Sequence, residues 1–201
     1  MTWLIAAAIA APLSTCEQVY DTRDLREGLD AAEQSVRPGE QGQLGREVNR
    51  VRARVGCFGE PLAADELARL NLLEALLAYG RGDEEGVVAA LAAVVAAKPS
   101  ADLPTTLVAV DHPIRARLED ARRRLDSPPQ EPLRVVRSGW FEVDGQHQTR
   151  VPSNRNVVVQ LFGDDGRPVE TRFYLSNPYL ADWAQYRRLR DDLAWAASPR
   201  D

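Results

Sequence analysis

Apolar residues recur every three or four positions through the first two thirds of the chain, and every second position after that. Leu25, Leu29, Ala32 and Val36 form the first stripe, which predicts a helix capped by Asp21 or Thr22 and ended by Pro38-Gly39. Leu44, Val48, Val51 and Val55 predict a second, with Arg46, Glu47, Arg50 and Arg54 on its wet side before Gly56, Gly59 and Pro61 break the chain. A third helix, about 63–79, carries Leu67, Leu70, Leu73 and Leu77. Gly80-Arg81-Gly82 turns the chain, Asp83 caps a fourth helix at about 84–97 with Val87, Leu91, Val94 and Val95, and Lys98-Pro99 stops it. After a looser stretch, Asp111 with Pro113 in the first turn opens a fifth, whose buried stripe is Ile114, Leu118, Ala121 and Leu125.

Three prolines in 127–133 (Pro128, Pro129 and Pro132) mark a stiff linker, beyond which the period falls to two. Trp140–Val143 followed by Asp144-Gly145 is a hairpin signal. Val157, Val159 and Leu161 alternate with Val158, Gln160 and Phe162, and Asp164-Asp165-Gly166 turns the chain again. Val169, Thr171, Phe173 and Leu175 then share one face, opposite Glu170, Arg172 and Tyr174. A meander of three to four strands follows. Asn177-Pro178 opens a last helix, 179–197, whose apolar face (Trp183, Tyr186, Leu189, Leu193) suits it to cover the small sheet. In the alternative reading that helix is an exposed partner-binding element, with Trp183, Tyr186 and Trp195 as the contact residues.

The N-terminus alters this picture. Trp3–Leu13 is an uncharged run too short to span a bilayer and of a length fitting the core of a signal peptide, which predicts export with residues 1–15 removed. Two cysteines in an exported chain suggest one bridge, Cys16–Cys57, tying the extended N-terminus to the end of the second helix. The competing reading of Cys16 comes from Leu13-Ser14-Thr15-Cys16, which resembles a bacterial lipobox and implies a lipid anchor at Cys16. The net charge of −5 argues against nucleic-acid binding, since a phosphate backbone demands surplus Lys and Arg. Charge is uneven: Phe58–Asp111 holds 9 acids against 3 bases, and Arg115–Arg137 holds 7 Arg against 4 acids, a pattern read as two solvated faces.

Candidate chemistry is sparse. His112 and His147 are far apart in sequence and read as structural or exposed, and with two separated cysteines they make no zinc pattern. The chain contains no nucleophile-elbow or zincin motif. Arg81-Gly82-Asp83 is turn chemistry. Asp164, Asp165 and Glu170 lack the alternating ligand spacing of a calcium loop. No cofactor, metal or catalytic residue is therefore expected.

Two segments carry family resemblances. Ala75, the Gly82-Asp83 turn, Leu91 and Pro99 make the third and fourth helices resemble one tetratricopeptide-type hairpin, for which the flanking helices would supply stacking neighbours. Val143-Asp144-Gly145, Pro152 and Val157–Leu161 make Gly139–Gly166 resemble a PEGA-type surface β-module. The layout resembles exported proteins of unknown function from GC-rich predatory proteobacteria. The expected fold is α+β: an antiparallel tetratricopeptide-like array over 16–126, the linker 127–133, and a β-meander with its covering helix over 134–201. The resemblance implies a non-catalytic protein-binding or scaffold protein of the bacterial envelope, periplasmic or outer, with a protein partner and no membrane span. A self-associating structural subunit is the alternative, and a hydrolase with unrecognised carboxylates is the weaker one.

Overall fold

The computed structural model describes residues 16–36, 41–126, 130–132 and 139–176. Among the described residues the fold is α+β, with five α-helices followed by a four-stranded antiparallel sheet. The helices are α1 (Thr22–Gln34), α2 (Gln41–Gly56), α3 (Ala64–Gly80), α4 (Glu84–Ala97) and α5 (Arg117–Arg124), the last preceded by a 3₁₀ turn, Pro113–Ala116. Asp21 caps α1 through a reciprocal pair with Asp24, and Asp83 caps α4 by accepting from the Gly86 amide. The fifth helix departs from expectation. The 3₁₀ turn before it is capped by His112, whose Nδ1 accepts from the Ile114 amide ahead of Pro113, and α5 itself starts from Ala116 with no side-chain cap.

The stripes read from the sequence are buried against one another in a single helical core. Alanines at 75, 90, 92 and 93 let α3 and α4 approach closely, so that α4 is apolar over most of its surface. Two residues placed on the wet side of α2 are partly covered, Glu47 with its side chain 18% exposed and Arg54. Arg54 is half-buried, donates to the Asp24 carbonyl and lies over the Tyr20 ring, 5.7 Å from its centroid. Its long apolar stem covers core while its charged head finds a carbonyl, as amphipathic side chains do.

The strands are β1 (Gln130–Pro132), β2 (Trp140–Val143), β3 (Gln146–His147), β4 (Arg150–Pro152), β5 (Val157–Phe162) and β6 (Pro168–Tyr174). The main sheet runs β3-β2-β5-β6, and β1 pairs with β4 in a separate two-stranded ribbon. Residues 130–132, which fall in the expected linker, are thus a hydrogen-bonded strand. Asp144 (φ 52°) and Gly145 (φ 71°) make the tight hairpin turn. A Cβ at Gly145 would stand 2.5 Å from the Leu62 carbonyl oxygen, so this turn is pressed against the loop before α3 and needs glycine there.

β5 is buried along its whole length. Val157, Val159 and Leu161 pack with Phe141, Val143 and Val151 in a second cluster, whereas Val158 joins the helical core. In β6 the register slips beside Leu161 and Phe162, and Val169 is left 41% exposed instead of sharing the buried position of Thr171. The alternation resumes at Thr171 and Phe173.

Sheet and helices are joined by side chains that satisfy the backbone of the loop between α2 and α3. Gln160 Oε1 accepts from the Leu62 amide at 2.9 Å, and its Nε2 donates to the Glu60 carbonyl (2.9 Å) and to Thr171 Oγ1 (3.1 Å). Thr171 Oγ1 donates in turn to the Phe58 carbonyl at 3.1 Å. On another side, Arg124 forks onto Glu85 and also reaches the Asn154 carbonyl. Buried backbone groups demand partners, and here β5 and β6 provide them.

The predicted bridge is present. Cys16 and Cys57 are bonded, with Cα atoms 5.9 Å apart and a sequence separation of 41. Beside it the chain entering α1 lies parallel to the loop: the Tyr20 amide donates to the Cys57 carbonyl (2.9 Å) and the Gly59 amide to the Tyr20 carbonyl (3.0 Å). Among the described residues no helix is long and apolar enough to cross a membrane.

Candidate functional site

Where α1, α3 and the end of α4 meet the stretch 98–107, the surface opens into a groove of about 460 Å³. That size is within the usual range for ligand sites. The groove exists because α4 stops at Lys98-Pro99 and the chain returns in an irregular path instead of a helix. Its apolar lining comes from Ala68, Leu72, Val94, Ala101, Leu103 and Leu107.

Charges surround that floor, and most are paired. Arg69 donates to Glu33 (2.7 Å) and to Asp30; the Glu33 bond outweighs the cost of burial, and together the two acids hold its guanidinium more firmly protonated than usual. Lys98 donates to Asp65 at 2.8 Å, and this bond with the ammonium charge holds the exposed Asp65 carboxyl below its ordinary value. Asp102 meets Arg115 at 3.2 Å. Arg26 donates from Nε to Glu66 Oε1 at 2.6 Å.

Glu66 differs from these. It lies in the first turn of α3, is only 3% exposed, and its Oε2 has no hydrogen-bond partner among the described residues. Glu74 shows how the same helix treats a buried acid that is closed. Arg52 donates to both of its oxygens, from Nε at 2.6 Å and from Nη2.

A second ionic feature is purely architectural. Asp144 and Arg155 form a buried pair, each side chain 8% exposed. Asp144 Oδ1 also accepts from the Val158 amide at 2.8 Å, and Arg155 Nη1 donates to the Asn156 carbonyl at 3.0 Å. The pair fixes the hairpin turn onto β5 and faces no opening of the groove.

The other expected site residues are scattered. The candidate contact residues Trp183, Tyr186 and Trp195, and the covering helix that carries them, lie outside the described residues. His112 caps the 3₁₀ turn before α5 with its ring 4.8 Å from that of Tyr79, and His147 is exposed near Trp140. Asp165 accepts from the Arg167 amide at 3.1 Å, as a turn residue does. Among the described residues no three His, Cys, Asp or Glu side chains gather as metal ligands would. No protein-family model matches the chain, and no curated protein or solved structure is significantly similar to it.

Proposed function

We propose that this protein is an exported, non-catalytic binding or scaffold protein of the bacterial envelope, and that the groove between α1, α3 and residues 98–107 seats a segment of a protein partner. The groove itself carries the reading: an apolar floor between helices, walled by charges at the spacing of successive helical turns. Stacked antiparallel hairpins of the tetratricopeptide kind use such helix faces to hold partner chains. The disulfide supports export, since such bonds persist in oxidising compartments. The sheet, clamped to the helical core by Gln160 and Thr171, offers a second surface that moves with the first.

Photo-crosslinking in the native envelope tests this. A photoreactive residue at Ala68, in the groove, is expected to give discrete protein adducts. The same residue at exposed Ala53 on α2 is expected to give none. Identical adducts from both positions would overturn the groove as the binding surface. An adduct of the chain with its own copy would identify a self-associating subunit instead.

A further inference from the structure

Glu66 and Glu74 are both buried acids of α3, at 3% and 4% exposure, yet they are treated differently. The arginine on Glu74 is itself well covered, with a side chain 26% exposed, and it engages both carboxylate oxygens. The arginine on Glu66 is 58% exposed and engages one oxygen only. A buried acceptor left without a donor is costly, so a half-partnered carboxylate lining a groove is an unmet demand for a donor.

Nothing on the groove's own walls fills that demand. Arg69 is committed to Glu33 and Asp30, and Lys98 to Asp65. Arg26, on the exposed face of α1, is the residue that an incoming group could displace without disturbing the core. The missing donor is a cation, and the geometry that meets two carboxylate oxygens at once is a guanidinium.

We propose that the groove recognises an arginine side chain of an extended partner segment, which displaces Arg26 and forks onto both oxygens of Glu66. Apolar neighbours of that arginine lie on Leu72, Leu103 and Leu107. The proposal rests on the reading of the groove given above. In the free protein Arg26 is an internal stand-in for the ligand, covering the carboxylate at half occupancy of its acceptors.

The test is fluorescence anisotropy of the full chain with a labelled, end-blocked nonapeptide of Leu, Ala and Ser carrying a central arginine. A second peptide carries citrulline, neutral and of nearly the same shape, at that position. The arginine peptide is expected to bind at least about tenfold tighter, the weight of one charge-assisted hydrogen bond. Glu66→Gln is expected to abolish the difference. Arg26→Ala is expected to tighten binding of the arginine peptide, because the internal competitor is gone. Equal binding of the two peptides overturns the arginine site and leaves the groove reading standing. Binding of neither peptide overturns both. Selectivity that survives Glu66→Gln also overturns the site. Should Glu66→Gln fail to fold, Arg26→Ala decides alone, and no gain in affinity for the arginine peptide refutes the proposal.

Discussion

Removing the bridge, as in the double variant Cys16→Ala, Cys57→Ala, lowers the unfolding free energy by about 4 kcal/mol. The figure follows from the entropy of closing a loop across the 41-position separation of the two cysteines. The bridge also fixes the strand-like contact of Tyr20 with the loop that begins at Phe58. That loop in turn supplies the carbonyls of Phe58 and Glu60 to the sheet. Loosening it therefore weakens two attachments. Equilibrium urea unfolding of the oxidised protein and the double variant gives the value from the midpoint and slope. An unchanged midpoint would mean that the ordered contacts alone hold the N-terminal segment in place.

Replacing Arg155 by Met costs about 3–5 kcal/mol at neutral pH, because the Asp144 carboxylate is left buried without its counter-ion. The pH dependence has a definite sign. Burial pushes the Asp144 carboxyl above its ordinary value of 3.8, while the charge and hydrogen bond of Arg155 and the Val158 amide pull it back down. Without Arg155 the folded-state value rises further above that of the unfolded chain, so the folded variant binds a proton more readily than the unfolded one. Its stability must then fall as pH rises from about 3.8 through the raised value, and acidification must recover part of the loss. Urea unfolding of both proteins at neutral and mildly acidic pH checks this. An equal deficit at the two pH values would show that Arg155 acts through packing and not through charge.

Local signals gave the helices away. Short-range chemistry marks Asp21 and Asp83 as caps, Asp144-Gly145 as a hairpin turn, and Leu44, Val48, Val51 and Val55 as one buried stripe. The bridge was legible because two cysteines leave a single pairing. The half-closed acid was not legible. The partner of Glu66 lies 40 residues away and that of Glu74 lies 22 away, and no periodicity predicts such pairings. One signal pointed toward them. Leucines at 67, 70, 72, 73, 76 and 77 cover so much of α3 that Asn71 and Glu74, set among them, are buried and must seek partners.

The same reasoning explains Gln160. Its position in the alternation of β5 places it on the face of Val158, but only the docked loop shows that this face is dry and that an amide side chain is needed there. Val169 was misplaced because a bulge adds a residue to one strand, and a period of two carries no warning of it. Arg54 was placed in water by its charge, yet its carbonyl partner on Asp24 lies 30 residues upstream.

The most direct measurement on the groove is hydrogen–deuterium exchange of the full chain with and without a degenerate pool of end-blocked nonapeptides. Slowed exchange is expected in α1, in α3 and across residues 98–107, with the sheet and α2 unaffected. A footprint confined to other surfaces, or none at saturating peptide, would contradict it.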